Sequence, residues 1–184
     1  MRQLWVLIVV GALSFGFVPQ AWAEPVLVTV TGAVGKPNRG ARDDFADALF
    51  VVHGIAFEAA RAFTRVDLAA LGQRETTVVY DVWPRPASVR GPRLADVLAA
   101  AGAPRDGTVT VQALDGYSFT LPMEMVESTP DMILGIEADG KSLSIGGRGP
   151  AWLVFPPGLV PGQEEDHGLV WAVFHLRVSP PEEK

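Results

Sequence analysis

The sequence contains no cysteine, and only three histidines and two tyrosines. Without thiols there is no disulfide framework and no thiolate to bind a soft metal, so stability must come from packing. So few imidazoles leave little choice of metal ligand or general base. Long apolar runs are scarce as well. After Leu4–Phe17, no stretch approaches the ~20 residues that a membrane-spanning helix needs. The familiar catalytic signatures are also missing. There is no G-x-S-x-G elbow, and "GAVG" (32–35) and "GGRG" (146–149) do not match G-x-G-x-x-G. Asp43-Asp44 and Glu164-Glu165 are adjacent, and adjacency does not make an acid–base pair. Basic residues are the minority, 15 Lys and Arg against 21 Asp and Glu, for a net charge of −6. That balance argues against nucleic acid and anionic lipid as partners.

What is present begins at the N-terminus. Met1-Arg2 starts positive, Leu4 to Phe17 is apolar, and Ala21-Trp22-Ala23 is a small-x-small pattern ahead of Glu24-Pro25. These are the three regions of a secretory signal. The expectation is cleavage after Ala23, a periplasmic or secreted location, and no membrane span in the mature chain. Residues 24–178 suit a single domain, and residues 179–184, "SPPEEK", a loosely ordered tail.

Along the domain, "VLVTVTGAV" (26–34) alternates as a strand. In "DDFADALFVVH", Phe45, Ala48, Leu49 and Val52 fall on one helical face, with Asp43 or Asp44 placed to cap it and Gly54 to end it. "FTRVDLAALGQ" reads as a short helix and "ETTVVYDVW" as a strand running into a proline-broken loop, 84–90. "RLADVLAAAGA" is the clearest helix: Leu94, Val97 and Leu98 form its inner stripe, Gly91-Pro92 opens it and Gly102 closes it. "GTVTVQAL" and "YSFTLPM" flank Asp115-Gly116 as a hairpin. "DMILGIEADGKSL" turns at Asp139-Gly140, and "PAWLVFPP" and "LVWAVFHLRV" supply the last strands. The expected class is α+β, mixed and mostly β, with a few short helices.

Chemistry is thinly represented. Of His53, His167 and His175, only His167 has ligand-like neighbours, in the acidic loop 163–167, and a solvated charge run explains those better than a metal site does. No catalytic residue and no metal site is assigned. What remains is a set of loop arginines and aromatics: Trp83, Arg85, Arg90, Tyr117 and Arg148 as candidate ligand contacts, with Arg39 and Trp152 nearby in character. Arginine forks suit anionic oxygens, and aromatic faces suit a planar group.

The order of these segments resembles the sulfite-oxidase-type molybdopterin-binding oxidoreductase domain. The resemblance lies in "VTVTGAV", in "VVYDVW" followed by "RGPRLADVLAAAGA", in the "DGY" hairpin, in "MILGIEADGKSL", in "GGRGPAWLVFP" and in the closing "VWAVFHLRV". It covers residues 26–178 and is closest to small secreted members. It implies a sulfite-oxidase-like fold, with molybdopterin as cofactor in the catalytic members. Their molybdenum-binding cysteine lies four residues before the tryptophan, which here is Val79. Trp152 stands where the "G-G-P-x-R-L" arginine would be. The resulting expectation is a domain without bound cofactor or molybdenum catalysis, serving as a ligand-binding or sensing module or as an accessory module. Its partner would be a small anion or another envelope protein. The alternatives are an oxidoreductase that holds molybdopterin without a cysteine, and a structural interaction domain of the envelope.

Overall fold

The computed structural model describes residues 24–160 and 167–181; the expected signal segment and residues 163–166 of the acidic loop lie outside them. The chain begins with β1 (Val26–Gly32), α1 (Ala48–Val52), β2 (Arg61–Thr64), α2 (Arg65–Ala70) and β3 (Gln73–Val78). It continues through β4 (Ala87–Pro92), α3 (Leu94–Ala101), β5 (Thr108–Ala113), β6 (Ser118–Pro122) and α4 (Met123–Ser128). It ends with β7 (Ile133–Gly135), β8 (Glu137–Ala138), β9 (Lys141–Ser142), β10 (Trp152–Val154) and β11 (Val173–Ser179). The fold is therefore α+β, mixed and mostly β, with a few short helices, as expected.

A five-stranded sheet runs β2-β1-β11-β5-β6, beside a four-stranded sheet β3-β4-β8-β9 and the pair β10-β7. The two ends of the domain meet in the first sheet, where β1 lies parallel to β11 with Thr29 opposite His175. Strand alternation gives this sheet two different faces. Val28, Val30, Val109, Val111, Leu176 and Val178 are buried in the main core. The alternate positions, Thr29, Thr31, Thr110, Gln112, His175 and Arg177, form a polar face. β11 runs through Ser179, which pairs with Thr108.

In the second sheet, β3 and β4 pair from Gln73–Pro92 to Val78–Ala87, and residues 79–86 form the connecting loop. β4 passes very close to β7. A Cβ on Gly91 would stand 2.1 Å from the Leu134 carbonyl oxygen, so only glycine permits the approach. α3 forms as its pattern requires, with Leu94, Val97 and Leu98 buried and Gly102 closing it at φ 72.

Two local expectations fail. Phe45 is 95% exposed and Val52 79%, so the helical face read over 45–52 is not the buried one. α1 spans only Ala48–Val52 and buries Phe50, which meets Phe57 edge-on at 5.4 Å. The cause is Asp43, whose Oδ1 accepts the N–H groups of Phe45 (2.9 Å) and Ala46 (2.8 Å). That local turn competes with helix, delays its start and rotates the register. The second failure is the loop read from Pro84 to Arg90. Ala87–Pro92 is instead a strand between β3 and β8, its proline at the last residue and Arg93 as the N-cap of α3. Arginine, glycine and proline hide the strand alternation there.

Candidate functional site

Past Val78 the chain turns out of β3, and the Trp83 N–H donates to the Tyr80 carbonyl at 2.9 Å. Tyr80 is buried and anchors the turn, its hydroxyl donating to the Phe155 carbonyl at 3.0 Å. The Tyr80 and Trp83 rings lie 4.9 Å apart, and Trp83 lies 5.3 Å from Trp152 on β10. Three aromatic rings therefore form a continuous row from the loop into the core.

Arg148 lies across that row. Its guanidinium carbon is 5.0 Å from the Trp83 ring centroid and 4.4 Å from that of Trp152. Such contacts contribute about 0.5–2 kcal/mol each, depending on desolvation. Arg148 is half-buried, and among the described residues no carboxylate lies within ion-pairing distance of it. Trp152 is 1% exposed and its Nε1 has no hydrogen-bond partner among the described residues. Leaving a buried donor unsatisfied costs about 1–3 kcal/mol. The two indoles and Arg148 line a cavity of about 250 Å³, together with Pro84, Arg85 and Asp139.

The rim is an ion pair. Arg85 meets Asp139 at 2.6 Å, and the Ser88 N–H donates to the same carboxylate at 3.0 Å. The Arg85 hydrogen bond, reinforced by that of Ser88, holds the Asp139 carboxyl below its ordinary range. Asp139 adopts φ 50 in the turn that the Asp139-Gly140 pair marked in the sequence.

Trp83, Arg85 and Arg148 are thus brought together, whereas Arg90 and Tyr117 are not. On β4, Val89 and Gly91 face inward, so Arg90 points outward and pairs with Glu137 on β8 at 3.5 Å. Tyr117 follows the Asp115-Gly116 turn and lines a separate cavity of about 300 Å³ with Asp115 and His167. The expected convergence of all five residues is corrected to these three. Arg148 also covers the indole faces that the sequence reading reserved for a planar ligand. Trp152 was singled out for its character but not among the five ligand contacts, and Asp139 was missed. Trp152 lies in an apolar run and reads as plain core, and Asp139 reads as turn chemistry.

The residues present do not fit a protein-ligated molybdenum centre. Val79 is 54% exposed and does not line the cavity. The lining offers neither thiol nor imidazole, and its carboxylate, Asp139, is engaged by Arg85. Among the described residues no group of three or more His, Asp or Glu side chains is placed to hold an ion. The cavity is also smaller than the ~300–1,000 Å³ usual for cofactor-sized ligands.

The remaining histidines are internally satisfied. His53 Nε2 donates to the Leu114 carbonyl at 3.1 Å. His175 is 2% exposed, and burial, followed by the nearby Arg177 and His53, lowers its pKa to about 4.

No family model and no curated protein matches the chain. Among solved structures, it is similar to the sulfane dehydrogenase SoxCD from Paracoccus pantotrophus, with 19% identity and a TM-score of 0.56. The match covers 85% of this chain and 38% of that one, so this chain spans well under half of the other's length. At that identity the likeness shows the fold alone, the mixed and mostly β architecture described above.

Proposed function

We propose that the protein is a binding module that holds a small anion at the Trp83–Arg148–Trp152 cavity without metal ligation, and that it works in the cell envelope as a sensing or accessory module. The observation that carries this reading is the half-buried Arg148 guanidinium, clamped by two indoles and, among the described residues, without a carboxylate partner, against Trp152, whose Nε1 has none among them either. A guanidinium fixed in this way keeps its N–H fork oriented without losing further rotamer freedom when an anion arrives. The Trp152 indole lines the same cavity, with its Nε1 buried behind the Arg148 stack. A carboxylate or a small tetrahedral oxyanion matches this donor set and the volume. Arg85, already opposite Asp139, would bring a second cation to the rim when an anion competes for it.

Val79 and Val82 support the accessory part of the reading. Both are exposed apolar residues on the loop that carries Trp83, where a protein partner would cover them. The N-terminal pattern ending at Ala23 supports the envelope location.

The test is calorimetric titration of the protein with sulfate and with small carboxylates, paired with metal analysis of protein purified from its native compartment. Saturable anion binding that Arg148→Gln abolishes, with no stoichiometric molybdenum, is the expected result. Stoichiometric molybdenum, or binding indifferent to Arg148, would overturn the reading in favour of an oxidoreductase or a structural domain.

A further inference from the structure

The polar face of the five-stranded sheet carries a second cluster, remote in sequence from the loops that form the first cavity. Gln112 on β5 lies opposite His175 on β11 and Ser118 on β6, and Thr110 lies opposite Arg177. The register therefore places His175, Arg177, Thr110, Gln112 and Ser118 on one face. The end of α1 lies against them, adding His53, and together they line a cavity of about 240 Å³.

The hydrogen bonds fix how this floor is oriented. His175 Nδ1 meets Gln112 Oε1 at 3.2 Å, and its Nε2 meets Thr31 Oγ1 at 2.8 Å. An amide oxygen can only accept, so Nδ1 carries the hydrogen and Nε2 accepts from the threonine hydroxyl. The amide is thereby turned with its oxygen toward the imidazole, which leaves the Gln112 NH₂ group without a partner among the described residues. Arg177 is exposed and likewise has no carboxylate within ion-pairing distance among them. No described carboxylate lines the cavity, although acidic residues outnumber basic ones in the chain.

We infer that this face is an anion site in its own right, in which Arg177, the Gln112 NH₂ group and the Ser118 hydroxyl receive a small tetrahedral oxyanion. An unpaired guanidinium above a floor of neutral donors is the donor set such an ion needs, since charge-assisted hydrogen bonds to Arg are the strong ones. The buried His175 acts as a positioning residue that holds the Gln112 amide in its donating orientation.

The experiment is titration of the protein with inorganic phosphate, following the Gln112 side-chain amide signals by NMR and the overall affinity by calorimetry. Wild type, Arg177→Gln and Arg148→Gln are compared. The Gln112 amide signals are expected to move with phosphate in wild type and in Arg148→Gln. In Arg177→Gln, phosphate at this site is expected to bind at least tenfold more weakly. Because Arg177 is exposed, its replacement leaves the fold intact, and the unperturbed amide spectrum checks this directly. Gln112 signals that stay still in wild type, or that move equally in Arg177→Gln, overturn the inference. Loss of their movement in Arg148→Gln alone assigns phosphate to the first cavity and overturns it as well.

Discussion

The guanidinium carbon of Arg148 stands 4.4 Å from the ring centroid of Trp152, a residue that is 1% exposed and whose indole N–H has no partner among the described residues. The guanidinium is held by the ring stack with no carboxylate partner among the described residues, so its N–H fork stays available to an anion. Arg148→Lys keeps the charge but loses the planar fork and the stack. Both Arg148→Lys and Arg148→Gln are expected to weaken sulfate binding at least tenfold. Thermal unfolding of either variant is expected to show a loss of about 1 kcal/mol, the size of the stacking contribution. Unchanged affinity in the lysine variant would mean that charge without geometry suffices.

Val79 occupies the position at which the resemblance places a metal-binding cysteine, yet it is exposed and does not line the cavity. Val79→Cys is therefore expected to change stability by no more than about 0.5 kcal/mol, as for other surface substitutions. Its thiol is expected to react quickly with a thiol reagent. The molybdenum content of the purified variant is expected to stay at the wild-type level, because the rest of a donor set is missing.

Gly91→Ala tests the close approach of β4 to β7. The added methyl would lie 2.1 Å from the Leu134 carbonyl oxygen and 2.7 Å from the Gly135 Cα, both of them backbone atoms. Neither can swing aside as a flexible side chain would. Urea unfolding is expected to show destabilisation at or above the ~1–3 kcal/mol of ordinary overpacking.

His175 makes stability depend on pH. Its folded pKa is lowered to about 4 from 6.5, so between these values the unfolded chain binds a proton that the folded chain refuses. The stability linked to His175 is complete above pH 6.5, declines as pH falls, and levels off below about 4, for a total of about 3 kcal/mol. Asp47 and Asp67, held below 3.8 by Arg39 and Thr64 respectively, titrate outside this window. Denaturant unfolding from pH 8 to pH 4 is expected to show the decline in wild type and a much flatter curve in His175→Gln.

Much of the fold was legible where one physical rule dominated. Leu94, Val97 and Leu98 with Gly102 announced α3, and Asp115-Gly116 announced the hairpin. The pattern failed where side chains bonded locally or where backbones touched. Asp43 holds a turn that displaces α1, and Gly91 serves a backbone contact that no periodicity encodes. The site was half legible. Arginine and tryptophan in turn-rich loops marked Trp83, Arg85 and Arg148. That Arg90 faces away follows only from its strand register, and that Trp152 has a spare donor follows only from its burial.

The most direct test of the central claim follows the tryptophan indole N–H signals by NMR during a sulfate titration at neutral pH. The Trp152 signal is expected to move progressively to saturation, because its ring lies 4.4 Å from the Arg148 guanidinium that would receive the anion and lines the same cavity, and to stay still in Arg148→Gln. A Trp152 signal unmoved by sulfate or small carboxylates at any concentration would contradict anion binding at this site.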